Sequence, residues 1–448
     1  MLRICVIMLC LCSMSYNAVG QDANENAVAP EVDPRLQEWI DLVKSCTKEN
    51  EDEIWQSLLY KLPDELADAK DENGMTLLMH ACRHATKKII GLLLRESNSP
   101  RARDNENRTG LHHLAFHHDT RVTAQGFTQF VIASQGTEHG EDIHGMTMFM
   151  LLCKENHPID TLKKFAAYNA IHVRMEMNEL DNSGNSTVSY AAMHNTDHRI
   201  WELLTMYGAD LTKTYTDNQL TPLHLAAREN MAEVAGAIIR EGAEVDALDS
   251  RSMTPLMWAL LQNKDPLMVR YLLQAKADVT HRSDQGATMT HAAAFGAQNA
   301  DVFTRILEAG SPADEPVPGS PSATPARLYV QYGQDPQVWQ VLADHGADLN
   351  RKPKDEAPML MQALTSKKDF AFIKAMIVAG CDVNDPYEPF NTTPLMMACK
   401  DGPPELVELF LDHGADTTVT DVAGKTAYDS AAANPLLQGH SVLKRLKP

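Results

Sequence analysis

The apolar residues of this chain come in two kinds of short stripe, and the two kinds alternate. One stripe is narrow and rich in alanine. It follows a Thr-Pro pair, as in Thr221-Pro222-Leu223-His224-Leu225-Ala226-Ala227. The other is wider and aliphatic, as in Val234, Ile238 and Ile239, and it runs into Gly242. Both have helical spacing. Thr221 can cap the first helix through its hydroxyl, and Pro222 suits a first turn that needs no N–H. Small alanines allow a neighbour to approach closely. Gly242 suits a left-handed stop. The pattern predicts a helix–turn–helix unit.

The unit recurs. Motif starts fall at Thr76, Thr109, Thr147, Ser186, Thr221, Thr254, Thr288, Thr324, Ala357, Thr393 and Thr426, 33 to 39 residues apart. A closing marker lies between them, in Gly208-Ala209-Asp210, Gly242-Ala243-Glu244, Gly346-Ala347-Asp348, Gly380-Cys381-Asp382 and Gly414-Ala415-Asp416. An aspartate stands five residues before six of the starts, at Asp71, Asp104, Asp142, Asp181, Asp249 and Asp421. There it can accept bonds from turn amides. A fixed period of this size predicts a stacked array, because one helix pair cannot bury its own apolar face.

The period, the Thr-Pro-Leu-His opening and the Gly-Ala-Asp close resemble the ankyrin-repeat family over roughly residues 71–448. The resemblance implies an all-α solenoid of about eleven units. Residues 35–70 are expected to form an N-terminal helical cap, with Leu36, Trp39, Ile40 and Val43 on one stripe and Ile54, Leu58 and Leu59 on another. Residues 71–310 would be a first run of repeats, and 326–448 a second run with the C-terminal cap. Between them, 311–325 carries five prolines and reads as a stiff loop. Whether it divides the array or merely decorates it is left open by the sequence.

Ahead of the repeats, Arg3, the apolar run Ile4–Leu11 and Ala18-Val19-Gly20 have the layout of a secretory signal peptide, residues 1–20. The alternative is an uncleaved N-terminal helix. Residues 21–34 read as a disordered leader. The expected localisation is exported, either periplasmic or secreted, with no membrane insertion after cleavage.

Asp plus Glu number 60 and Lys plus Arg 40, a net charge of −20. This excess argues against a nucleic-acid partner, which needs a concentrated basic surface. Gly424-Lys425-Thr426 ends like a phosphate loop, but Val419 stands where the motif needs glycine. Gly439-His440-Ser441 lacks the closing glycine of a nucleophile elbow. His112, His113, His117 and His118, with His139, Glu141, Asp142 and His144 nearby, offer the one enzyme alternative, a metal-assisted hydrolase in the His112–His144 region. The repeat register explains His112 without a metal, as it does His224 and His291.

Cys46, Cys82, Cys153, Cys381 and Cys399 remain after residue 20. Most replace small buried residues of the repeat, so five buried thiols are expected. Cys381–Cys399 is the only pair close enough in register to consider. Asn107, Asn185 and Asn391 open glycosylation sequons in turn tips.

Repeats and caps leave little space for a separate catalytic domain. The reading is therefore a non-enzymatic, monomeric scaffold, without cofactor or metal, that binds a protein partner through the concave face of the array. Register assigns that face Met75, Arg83, Arg108, Phe116, His117, Met146, Lys154, His194, Leu220, Arg228, Met253, Gln262, Phe295, Tyr332 and Phe390. Met75, Met146, Leu220 and Met253 share one turn-tip position expected to face solvent.

Overall fold

The computed structural model describes residues 33–447, apart from 98, 118, 120–121, 124, 127–139, 173–176, 217 and 354–355. Residues 1–32, with the expected export signal and most of the leader, lie outside the described residues, as do His118 and His139. Among the described residues there are 23 α-helices and no strand beyond isolated bridges. The chain divides into two compact units between Ser250 and Arg251, so residues 311–325 lie inside the second unit.

In the first unit, α1 (Pro34–Lys44) and α2 (Glu51–Lys61) form the cap. Asp33 opens α1 by accepting from the Arg35 amide, so the helix begins at Pro34, within the stretch assigned to the leader. Leu36, Ile40 and Val43 are buried, as are Ile54 and Leu58, whereas Trp39 is only half-buried and Leu59 is exposed. The repeats follow as α3 (Leu77–His84), α4 (Lys87–Glu96), α5 (Gly110–Ala115), α6 (Met148–Lys154), α7 (Ile159–His172), α8 (Thr187–His194), α9 (Ile200–Met206), α10 (Pro222–Glu229) and α11 (Ala232–Arg240). The first helices pack in sequence order, α1 on α3, α3 on α5, α5 on α6, α6 on α8 and α8 on α10.

The second unit repeats the scheme. Its helices are α12 (Pro255–Gln262), α13 (Pro266–Gln274), α14 (Met289–Phe295), α15 (Ala300–Glu308), α16 (Pro325–Tyr332), α17 (Val338–Asp344), α18 (Met359–Thr365), α19 (Phe370–Val378), α20 (Pro394–Asp401), α21 (Pro404–Asp412), α22 (Ala427–Ala433) and α23 (Val442–Arg445). Helices α14 and α16 pack directly on each other although the proline-rich segment connects their repeats. That segment folds as a turn, with the Val317 amide donating to the Ala323 carbonyl at 3.0 Å. Its Pro318 sits against Gly286, where φ is +77° and an added Cβ would fall 2.5 Å from the proline ring.

The caps follow the sequence logic. Thr254 Oγ1 accepts from the Met257 amide at 3.3 Å, and Thr393 Oγ1 from the Met396 amide at 3.3 Å. Where histidine is fourth in the motif, it reinforces the cap. His224 Nδ1 and His291 Nδ1 each accept from the threonine amide at 3.2 Å.

Neighbouring repeats are also tied by side chains at the first-helix ends. Asn230 Nδ2 donates to the Ala192 and Asn195 carbonyls at 2.8 and 3.1 Å. Asn195 Nδ2 donates to the His157 carbonyl at 2.8 Å. Gln298 Nε2 serves Leu260 and Asn263, and Asn434 Nδ2 serves Cys399 and Gly402, in the same way. Each bond satisfies a carbonyl that a helix end leaves open.

Candidate protein-binding surface

The turn tips are built by the recurring aspartates. Asp71 Oδ1 accepts from the Asn73 and Met75 amides at 2.9 and 2.8 Å. Asp104, Asp142, Asp181 and Asp421 hold their turns identically. Successive tips are then joined along the backbone. Asn105 N donates to the Asn73 carbonyl, Ile143 N to Glu106 and Asn182 N to His144, at 2.8 to 2.9 Å.

This clamp corrects the sequence reading of the tips. At this register the apolar side chains are directed inward, whereas the charged Arg108 and Lys425 stay at the surface. Met75, Met146 and Met253 are only 7%, 5% and 4% exposed, and Leu220 is fully buried. Leu220 is instead held by paired backbone bonds with Tyr215 at 2.8 and 2.9 Å. These four residues are scaffold, not surface. The outward position is the one after the aspartate. There Ile143 and Val422 are exposed, two apolar residues the sequence reading did not select although it assigned their equivalents Glu72, Asn105 and Asn182 to the surface.

His117 is also buried. Its Nε2 donates to the Ala85 carbonyl at 2.9 Å while Nδ1 accepts from the Asp119 amide, so the ring bridges two repeats. The other described histidines of that cluster are similarly committed. His112 Nδ1 accepts from the Thr109 amide at 3.2 Å, and burial lowers its pKa to about 4. His113 Nε2 lies 2.8 Å from Asp104 Oδ2. Among the described residues no three His, Cys, Asp or Glu side chains are grouped to hold a metal ion. The hydrolase alternative therefore has no supporting geometry there.

The remaining candidates lie at the surface. In the first unit, Phe116 ends α5 half-buried, between two guanidinium groups. Arg83, at the end of α3, lies 4.9 Å from the ring centroid, and Arg108, from a turn tip, lies 5.4 Å from it. Arg108 also pairs with Glu106 and, at 3.2 Å, with Asp142. Burial, and then the nearby charge of Arg108, pulls the Arg83 pKa below its usual value. Lys154 is exposed at the end of α6 and lies 5.5 Å from the Tyr190 ring, which stacks on His194 at 6.1 Å. Arg228 is half-buried beside Glu229.

The second unit carries a different surface. Phe295 and Tyr332, both half-buried, meet with ring centroids 4.6 Å apart. Gln262 is half-buried at the end of α12. Phe390 is 55% exposed at a tip, 5.5 Å from Tyr387. Its carbonyl accepts from Val422 N at 3.1 Å, placing two exposed apolar groups on adjacent tips.

Residues 189–316 match family models described as ankyrin repeats in three copies, over 189–283 and 223–316, and residues 376–431 match one described as ankyrin repeats in many copies. Over those residues the chain is similar to ankyrin repeats. Protein glp-1 of Caenorhabditis elegans is 26% identical over 224 residues, covering 48% of this chain and 17% of that protein. The B-cell lymphoma 3 protein homolog of Mus musculus is 23% identical over 257 residues, covering 56% of this chain and 53% of its own length. The chain thus spans about half or less of these relatives. Among solved structures, the human ASB11 ankyrin repeat domain aligns with 22% identity and a TM-score of 0.42, over 51% of this chain and 99% of that one.

The cysteines Cys46, Cys82, Cys153, Cys381 and Cys399 are all buried and free of disulfides, including Cys381 and Cys399. Burial pushes both of the latter thiols up to about 12. No described helix is long and apolar enough to cross a membrane.

Proposed function

We propose that this chain is an exported, monomeric scaffold that captures a partner protein on the concave face formed by its first-helix ends and turn tips, and that it acts by binding rather than by catalysis. Ankyrin repeats indicate protein partners in general. The supporting observation is the contrast within one motif. Positions that hold the stack are buried and bonded to neighbouring repeats, whereas Phe116 and Phe295 occupy one and the same first-helix register and remain at the surface. Aromatic side chains bring large contact area at small entropic cost, as binding hot spots do. Export is supported by the signal-like residues 1–20 alone.

The test is affinity capture with the full chain from the exported fraction, followed by binding measurements on what is captured. Phe116→Ala with Phe295→Ala should abolish capture and leave the melting profile in place. Capture that persists in the double variant rejects this surface. Retention of the whole chain inside the cell would reject export.

A further inference from the structure

In a chain of net charge −20, cations gather at one register of the first unit. Arg83, Lys154 and Arg228 each stand seven residues after their motif start, with Phe116 and Met193 at the same place between them. In the second unit that register is Leu261, Phe295, Gln331, Leu364, Lys400 and Ala433, mostly uncharged. The charges are unequally met. Arg108 has Glu106 and Asp142, and Arg228 has Glu229. Arg83 has no carboxylate within ion-pair range among the described residues, and its Nε is buried without a hydrogen-bond partner. It is held over Phe116 by ring contact, with a second guanidinium over the same ring. An incoming carboxylate would relieve that crowding of like charge.

We propose that the first unit receives an acidic, extended segment of the partner protein, with one carboxylate on Arg83 and an adjoining apolar side chain on Phe116. This rests on the protein-binding reading above. The spacing of the cations adds a constraint. Arg83, Lys154 and Arg228 belong to alternate repeats, and packed helices lie about 10 Å apart. Successive cations are then separated by roughly 20 Å, or about six residues of extended chain. The recognised segment carries Asp or Glu at intervals of about six residues, the first beside Leu, Phe or a similar side chain.

A library of random 16-residue peptides displayed on phage and selected on the purified full chain tests this. Selected peptides should be rich in Asp and Glu beside apolar residues. Replacing those acids by Asn or Gln in synthetic copies should weaken binding by about tenfold or more, the effect of losing a charged hydrogen bond. Arg83→Gln and Lys154→Gln should each produce a comparable loss with unchanged melting, and Arg83→Lys should restore part of it. Peptides without acidic enrichment whose binding is lost in Phe116→Ala would overturn the acidic partner and leave the protein-binding surface standing. Peptides indifferent to both Phe116 and Phe295, or no enrichment at all, would overturn both.

Discussion

His291 Nε2 donates to the carbonyl of Ala323, 2.9 Å away in the following repeat, while its Nδ1 accepts from the Thr288 amide. One ring thus caps its own helix and ties it to the next. The arrangement fixes a neutral tautomer, because one nitrogen must accept and the other must donate.

Stability should therefore fall in mild acid. Burial lowers the pKa of both His112 and His291 to about 4, against an ordinary 6.5. Between those values the unfolded chain binds protons that the folded chain refuses. Each group's stabilisation is complete above about pH 6.5 and is lost as pH falls toward 4, by at most about 3 kcal/mol apiece. Urea midpoints measured between pH 7.5 and 4.5 should fall more steeply for the native chain than for His291→Gln. Parallel slopes would count against the buried neutral ring.

Met146 and Phe116 should separate folding from binding. Met146→Ala empties a buried tip position and should cost about 2–5 kcal/mol of stability. Phe116→Ala removes a half-buried ring and should leave unfolding nearly unchanged while partner capture is lost. Chemical denaturation followed by capture assays on each variant distinguishes the two. The reverse assignment would mean that the inward and outward positions have been confused.

Asn230→Ala should destabilise the first unit by about 1–3 kcal/mol, since two helix-end carbonyls lose their donor. Native-state hydrogen exchange should show the loss in the repeat that contains Ala192 and Asn195. A variant as stable as the native chain would show that water replaces the amide at no cost.

Gly296→Ala should be poorly tolerated. An added Cβ would strike the Leu260 carbonyl oxygen of the preceding repeat, a backbone atom that cannot rotate away. The melting temperature reports the outcome directly, and an unchanged value would mean that the two repeats can separate without loss.

Thiol labelling offers a further check. Cys82 and Cys153 are fully buried, and burial raises both thiols well above the usual range. Iodoacetamide should leave all five cysteines unmodified in the folded chain and modify them in urea. Fast native labelling at Cys82 would contradict the packing of α3 against α5.

The repeat was legible because its signals are local. Thr221 and Pro222 announce a helix start, Gly242 its end, and the period between starts repeats along the chain. The direction of a tip side chain was not. Met146 lies inward although Arg108, whose amide Asp104 holds in the same way, stays at the surface, a difference that no periodicity records. His117 was misplaced for a similar reason, because its partner, the Ala85 carbonyl, lies 32 residues away. Arg327 shows a third limit. It stands where other repeats have histidine, yet it reaches Glu356 at 3.2 Å and the Ala357 carbonyl at 2.9 Å in a repeat that lacks the capping threonine.

The central claim is that partner binding belongs to the first-helix ends and turn tips while the second helices serve only the stack. Hydrogen–deuterium exchange of the full chain, with and without its captured partner, tests this most directly. New protection should appear at the ends of α3, α5, α6 and α10 and at the tips around Asn105 and His144, with α4, α11, α13 and α15 unaffected. Protection confined to those second helices would contradict the account.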